Sequence, residues 1–164
     1  MADPPYVELL RALQEARIRY AVVGGLAVVL HGVPRMTFDL DLAVDPADDN
    51  MLALVGVLAH GGYCPRVPEP LEKLADPAAR ASWRAERNML AFNVRHPLRN
   101  LEDVDMLLLE PHEWSVLAES VAMRRLAGVE VPILGRRALI VMKRASGRPQ
   151  DLADADALEL IDDA

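Results

Sequence analysis

The pattern of apolar and polar residues divides the chain into short strands and amphipathic helices. Alternating or short continuous apolar runs predict strands over 19–23, 37–44, 63–67, 88–95, 101–109, 121–126 and 129–133. Apolar residues at helical spacing predict helices over 4–17, 26–31, 46–60, 112–120, 136–145 and 150–162. Asp3 followed by proline predicts the start of the first helix. Residues 71–87 show no regular period, so we expect an irregular or loosely helical segment there.

The strand over 19–23 ends at the glycine pair Gly24-Gly25, and the short helix and the next strand follow it. Two adjacent glycines allow a tight turn and a close approach of the backbone to a ligand such as a phosphate. Because side chains on a strand alternate between faces, Asp39 and Asp41 point the same way, about 7 Å apart. Two neighbouring carboxylates repel each other unless a cation lies between them, so this pattern predicts a divalent metal site.

Length and composition indicate the broad class of protein. At 164 residues we predict a single domain over 1–164, in which 136–164 form a helical C-terminal extension. Hydrophobic residues make up 52% and charged residues 26%, as in ordinary globular proteins. The net charge of −7 argues against non-specific coating of nucleic acid. One cysteine, Cys64, excludes an intrachain disulfide, and we expect a cytoplasmic protein without a signal peptide or membrane span.

The charge is unevenly distributed near the C-terminus. Residues 124–148 carry seven basic side chains and one acid, whereas residues 151–164 carry six acids and no base. One interpretation is that two helices attract each other through solvated, oppositely charged faces. The other is that part of the basic stretch neutralises a triphosphate or an RNA backbone.

The string Gly24-Gly25, a short helix and then Arg35-x-Thr37-x-Asp39-x-Asp41 resembles the nucleotidyltransferase superfamily typified by DNA polymerase β. It looks most like the small prokaryotic members related to the AbiEii and minimal nucleotidyltransferases of toxin–antitoxin systems. The stretch over 139–154 is similar to a recurrent C-terminal string of the AbiEii-like members. The resemblance implies an α+β fold: a mixed β-sheet core flanked by helices, with C-terminal helices. Only residues 65–87 match no part of it.

The resemblance also implies the chemistry: Mg²⁺-dependent transfer of a nucleoside monophosphate from an NTP to a hydroxyl group, with release of pyrophosphate. Asp39, Asp41 and a third carboxylate would be the catalytic residues and the metal ligands. Asp105, in the setting Val104-Asp105-Met106, matches the third position best. Asp103 would replace it if the strand register shifted by two residues.

The resemblance further implies contacts with the nucleotide from Gly24, Gly25, Arg35, Thr37 and Lys143. Lys143 would neutralise charge on the β- and γ-phosphates, and its alternative place is a solvated helix face. Arg35 could contact phosphate as well, or it could brace the loop that carries the aspartates. We expect a structural ion pair between Arg148 and Asp151 across the last interhelical loop.

Two other functions remain open at this point. A haloacid-dehalogenase-like phosphatase also uses an Asp-x-Asp strand end, but its pattern requires Thr or Val where this chain has Ala43. A catalytically weak nucleotidyltransferase fold could instead act as the binding partner of a toxin or antitoxin. If the chain is an enzyme, we expect a hydroxyl of tRNA or of a protein as the acceptor, with a small molecule as a third class.

Overall fold

The computed structural model describes residues 3–162, and the parts of the predicted 1–164 domain at positions 1, 2, 163 and 164 lie outside the described residues. The helices are α1 (Val7–Glu15), α2 (Gly24–Leu30), α3 (Asp48–His60), α4 (Pro77–Arg87), α5 (Pro111–Ala118), α6 (Arg136–Ser146) and α7 (Pro149–Glu159), with a 3₁₀ turn over Leu71–Ala75. The strands are β1 (Tyr20–Val23), β2 (Asp39–Val44), β3 (Cys64–Pro65), β4 (Ala91–Arg95), β5 (Asp103–Leu107), β6 (Val121–Leu126) and β7 (Val129–Leu134).

The strands form one mixed sheet in the order β3-β4-β5-β2-β1-β7-β6. β2 is parallel to β5 and antiparallel to β1, and β1 is parallel to β7. One face of the sheet packs against the hydrophobic core, to which β2, β4 and β5 contribute fully buried side chains: Leu40, Leu42, Phe92, Val94, Val104 and Met106. The predicted α+β fold with a mixed sheet is confirmed. In residues 3–162 no helix has the length and apolar character needed to cross a bilayer.

The start of the first helix differs from the prediction. α1 begins at Val7, and its N-cap is Tyr6, which has a left-handed φ of 72°. The Tyr6 hydroxyl donates to the backbone carbonyls of Phe38 and Asp103. Asp3 pairs with Arg11 instead of capping the helix. The contacts of Tyr6 with two distant strands therefore position α1, whereas the Asp-Pro signal is local and was overridden.

The segment over residues 71–87, expected to be irregular or loosely helical, is a 3₁₀ turn in its first part and the regular helix α4 in its second. Asp76 caps this helix by accepting a hydrogen bond from the Ala78 amide at 2.9 Å. α4 buries only two side chains, Trp83 against Phe92 and Arg80 against backbone carbonyls. The helical period is weak in the sequence because one of these two inward positions carries an arginine rather than an apolar residue.

The C-terminal part of the fold follows the prediction closely. β6 and β7 form an antiparallel hairpin, and α6 and α7 are joined at Gly147, which has a φ of 69°. On the exposed side of this helix pair, Arg144 contacts Asp156 at 3.0 Å and Glu159 at 2.7 Å. The interpretation in which the basic and acidic stretches attract each other is thus confirmed for these two helices.

Candidate active site

Four aspartate side chains lie on one face of the sheet, where β2 and β5 run side by side. In this parallel pair Asp39 is opposite Asp103, and Asp41 is opposite Asp105. The intervening apolar residues point to the other face and are buried in the core. Since adjacent side chains of a strand alternate between faces, burial of the apolar set forces the four aspartates onto the open face.

The aspartate face borders a cavity of about 550 Å³ that is also lined by the β1–α2 turn, the loop before β2, and α6 and α7. All eight residues that the sequence singled out line this cavity: Gly24, Gly25, Arg35, Thr37, Asp39, Asp41, Asp105 and Lys143. The fold therefore brings them together from distant parts of the chain. Their individual roles stay predictions.

The two glycines let the β1–α2 turn pack directly against the site. Gly24 has a left-handed φ of +65°, and a Cβ atom placed on it would lie 2.0 Å from Oδ2 of Asp41. A Cβ atom on Gly25 would lie 2.6 Å from Oγ1 of Thr37. Both positions thus require glycine for close contact with site residues, and phosphate binding by this turn stays a prediction.

Asp41 is in an unfavourable electrostatic environment. Burial, together with the negative charges of Asp105 and Asp39, raises the pKa of the Asp41 carboxyl to about 6, although Lys143 and Arg148 act in the opposite direction. Within residues 3–162, neither the Asp41 nor the Asp39 carboxylate accepts a hydrogen bond from the protein. The site therefore carries negative charge that the chain itself does not neutralise.

Asp103 and Asp105 are two residues apart on β5 but have very different partners. Arg95 contacts both carboxylate oxygens of Asp103, at 2.9 and 2.8 Å, and Arg66 adds a third contact. These arginines lower the pKa of Asp103. Asp105 has no such pair and faces the cavity beside Asp41. This geometry favours Asp105 over Asp103 as the third carboxylate of the site.

The donor set suits Mg²⁺, although the residues do not form a closed metal site. Mg²⁺ prefers oxygen ligands and is commonly held by one or two carboxylates together with the phosphates of a substrate and water. In the described part of the chain no group of three His, Cys, Asp or Glu side chains is arranged to hold an ion. The uncompensated charge at Asp41 and Asp105 nevertheless fits a cation that shares its coordination with a bound nucleotide.

Lys143 belongs to a set of charges that we call the α6–α7 ion cluster: Arg35, Lys143, Arg148, Asp151 and Asp154. Lys143 is only 6% exposed, and its Nζ donates to Asp151 Oδ1 and Asp154 Oδ2, both at 2.9 Å. The alternative of a solvated helix face is therefore wrong for Lys143. Its predicted contact with phosphate would have to coexist with these two ion pairs.

The remaining members of the cluster tie the site loop to the C-terminal helices. Arg35 pairs with Asp154, so the structure favours the interpretation in which Arg35 braces the loop before β2. The expected pair of Arg148 and Asp151 is present at 2.7 Å. Burial raises the pKa of Asp151, but hydrogen bonds from Ser146, Lys143 and Arg148 outweigh it and lower this pKa to about 2.

Sequence reasoning missed two side chains that contact the predicted site residues. Asp154 pairs with both Lys143 and Arg35, and its signal was its position three residues after Asp151 on one helix face. Asn93, on β4, donates a hydrogen bond to Asp105. No local sequence pattern predicts this role of Asn93, because only the pairing of β4 with β5 places it opposite Asp105.

A second cavity, of about 750 Å³, lies between α1 and α3. Its lining is dominated by small and apolar side chains, and two of its charged residues, Glu8 and Arg99, pair with each other. It has no counterpart of the aspartate face. The cavity of about 550 Å³ beside the aspartates is therefore the better candidate for an active site.

Comparison of the whole structure with solved structures defines the fold class: the chain has the nucleotidyltransferase fold. It aligns with the lincomycin-bound lincosamide antibiotic adenylyltransferase LnuA with a TM-score of 0.62 and 15% identity, covering 94% of each chain. ANT(2″)-Ia in complex with adenylyl-2″-tobramycin aligns with a TM-score of 0.56 and 16% identity, over 92% of this chain and 83% of that one. No protein-family model and no curated protein matches the sequence.

A Thermotoga maritima protein with a proposed nucleotidyltransferase function also aligns, with a TM-score of 0.54 and 12% identity over 89% of this chain and 84% of that one. At these identities the likeness establishes the fold. The narrower resemblance to AbiEii-like proteins is not confirmed by these three structures and stays a prediction.

Proposed function

We propose that this protein is a nucleotidyltransferase that moves a nucleoside monophosphate from an NTP to a hydroxyl group. The observation that carries the proposal is the uncompensated carboxylate set Asp39, Asp41 and Asp105, which lies beside the Gly24-Gly25 turn in a cavity of about 550 Å³. The nucleotidyltransferase fold supports the reaction class, but fold alone does not establish activity.

Each step of the transfer has a candidate group in the chain. The acceptor oxygen attacks the α-phosphorus, the bond from that phosphorus to the bridging oxygen breaks, and pyrophosphate leaves. Asp105 takes the proton of the attacking hydroxyl, because it is the site carboxylate that a neighbouring side chain orients. Lys143 and Arg148 contribute positive charge beside Asp41, which favours a polyanionic substrate in the cavity.

Asp39, Asp41 and Asp105 would hold Mg²⁺ together with the phosphates of the nucleotide. When bound, the ion would offset the charge of the triphosphate and of the departing pyrophosphate. The chain already provides the oxygen donors, and the negative charges of Asp105 and Asp39, which raise the pKa of Asp41, support a cation among them.

For the acceptor we propose two classes of hydroxyl compound. LnuA and ANT(2″)-Ia were solved with lincomycin and with adenylyl-tobramycin, which supports a hydroxylated small molecule. The resemblance in sequence supports a hydroxyl of RNA or protein and a role in a toxin–antitoxin pair. The open cavity is compatible with either class, so the acceptor must be identified by labelling.

The test uses NTPs labelled at either the α- or the γ-phosphorus, incubated with the protein, Mg²⁺ and separate pools of cellular RNA, cellular protein and hydroxylated antibiotics. We expect label in an acceptor from the α position only, with pyrophosphate as the by-product. Transfer from the γ position, or release of inorganic phosphate, would contradict the proposal. The absence of label in every pool, with all four NTPs, would favour the binding-partner alternative.

A matched pair of variants controls the labelling. Asp41→Asn removes a proposed metal ligand, whereas Asp103→Asn removes a carboxylate on the same face that Arg95 already neutralises. We expect the first variant to lose transfer and the second to retain it.

A further inference from the structure

Asn93 stands at the end of a row of polar side chains that crosses three neighbouring strands. β4 pairs with β5 so that Asn93 is opposite Asp105, and β5 pairs with β2 so that Asp105 is opposite Asp41. Residues directly opposite each other on paired strands share a face. Phe92 and Val94, on either side of Asn93, are fully buried in the core, so Asn93 points to the aspartate face.

The contact between Asn93 and Asp105 is short and has one chemically reasonable orientation. Nδ2 of Asn93 lies 2.6 Å from Oδ1 of Asp105 and donates a second, longer hydrogen bond to the Val104 carbonyl. The reversed amide would set two acceptors against each other, so the nitrogen must face the carboxylate. In the described part of the chain no other group donates a hydrogen bond to the Asp105 side chain.

Fold stability alone gives no reason for an asparagine at this place. Asparagine is disfavoured within strands. The Oδ1 atom of Asn93 is also buried without a hydrogen-bond partner, which costs free energy. A β-branched residue would suit the strand better, so the benefit of Asn93 must come from its contact with Asp105.

The neighbouring row across the same strands consists of Arg95, Asp103 and Asp39, and it shows how a charged donor changes a carboxylate. There Arg95 occupies both oxygens of Asp103 and neutralises it. The amide of Asn93 engages one oxygen of Asp105, carries no charge, and leaves the carboxylate negative and its second oxygen available. Asn93 therefore restrains Asp105 without removing the property that a metal ligand or proton acceptor needs.

We infer that Asn93 is a positioning residue that holds the Asp105 carboxylate in one orientation beside Asp41. The inference rests on the proposed function for its catalytic consequence, but the restraint on Asp105 is a property of the metal-free protein. Residues that orient a metal ligand typically change metal affinity or activity by about 10-fold to 100-fold when they are replaced.

The experiment compares the parent with Asn93→Leu, which has nearly the same shape but no donor, and Asn93→His, which returns an N–H donor at a similar reach. Arg95→Leu, in the neighbouring row, is the matched control. Three readouts are taken: the three-bond NMR couplings that report the Asp105 χ1 rotamer without metal, Mn²⁺ affinity, and the kcat and KM of α-label transfer.

We expect Asn93→Leu to average the Asp105 rotamer, to weaken Mn²⁺ binding by about 10-fold or more, and to lower kcat by a similar factor with little change in the KM for NTP. Asn93→His should recover part of each loss, and Arg95→Leu, which frees Asp103 and not Asp105, should leave the Asp105 rotamer unchanged. An unchanged rotamer and Mn²⁺ affinity in Asn93→Leu would overturn the inference.

Losses that merely follow thermal stability, and that Asn93→His does not reverse, would also overturn it, because they indicate a structural role. If the parent transfers no nucleotide, the proposed function fails. The Asp105 couplings would still decide whether Asn93 restrains this carboxylate.

Discussion

Two groups of charged residues meet at the cavity, and they are built in opposite ways. On the sheet, Asp39 and Asp41 have no hydrogen-bond donor from the described chain, and Asp105 has one neutral donor. In the α6–α7 ion cluster, by contrast, Lys143 contacts two carboxylates at 2.9 Å, and each of these carboxylates also binds an arginine. The first group is incomplete without a ligand, whereas the second is already satisfied.

The pKa values of the two groups express this difference. The pKa of Asp41 is raised to about 6, and that of Asp151 is lowered to about 2. Burial acts in the same direction at both, so the neighbouring charges decide the sign. The neighbours of Asp41 are carboxylates, which disfavour its ionised form, whereas those of Asp151 are Ser146, Lys143 and Arg148, which favour it.

The largest effect is expected when the incomplete group is broken. Asp41→Asn or Asp39→Asn should reduce transfer by about 5 kcal/mol, which is several thousandfold, because charge on the triphosphate would no longer be offset. Single-turnover transfer of α-label measures this. The metal-free variants should remain folded and be equally or more stable, since one of two repelling charges has gone. Parental transfer by Asp39→Asn would contradict its assignment.

Breaking the satisfied group should affect stability instead. Lys143→Met removes two charged hydrogen bonds of 2.9 Å, to Asp151 and Asp154, while Arg148 and Arg35 stay paired with these carboxylates, so the free energy of unfolding should fall by about 1.5–3 kcal/mol. Urea denaturation measures this.

Lys143→Met also tests the nucleotide role of Lys143. If Lys143 contacts the triphosphate, NTP affinity in that variant should be weaker by about 1.5–3 kcal/mol, as expected for one charged hydrogen bond. Calorimetric titration with an NTP measures it. Unaltered affinity would limit Lys143 to its ion pairs.

The free energy of unfolding of the metal-free protein should depend on pH through both Asp41 and Asp151. Because the pKa of folded Asp41 is about 6 and its ordinary value is 3.8, its contribution is fully present below pH 4 and is lost as the pH rises through 6, by up to about 3 kcal/mol. Asp151 behaves in the opposite way: its contribution of about 2 kcal/mol is present above pH 4 and is lost as the pH falls through 2.

Chemical denaturation across this pH range should therefore show a free energy of unfolding that falls between about pH 4 and pH 6, and Asp41→Asn should abolish this loss. Mg²⁺ should reduce the same loss in the parent, because a bound cation favours the ionised carboxylate. A loss that persists unchanged in Asp41→Asn would show that Asp41 is not its cause.

The smallest expected effect on stability comes from alanine at two glycines with positive φ. Comparing the two variants distinguishes backbone strain from contact with the site. Gly24→Ala and Gly128→Ala both place a side chain at positive φ, of +65° and +80°, and each should cost about 1–2 kcal/mol of stability. Only Gly24→Ala would also push against Asp41, because no atom lies within 4 Å of a Cβ on Gly128. Transfer should be lost in the first variant and kept in the second, which activity assays on thermally characterised proteins would reveal.

Much of the fold followed from local signals in the sequence. The hairpin over β6 and β7, the helices α6 and α7, and the Gly-Gly turn were predicted near their observed bounds. Alternation along β2 placed Asp39 and Asp41 on one face. These features depend on side-chain period and on the conformational freedom of glycine, which a short segment determines by itself.

The start of α1, the identity of α4 and the partners of the charged residues depended on contacts between distant segments. Tyr6 positions α1 by binding two strands that lie far along the chain. Asp103 and Asp105 share one face of β5, and only the register with β4 gives Arg95 to one and Asn93 to the other. The sequence by itself thus determined which residues could serve a nucleotidyltransferase site. The tertiary structure decided which charges are already neutralised, because ion pairing depends on distances that arise only when strands and helices pack.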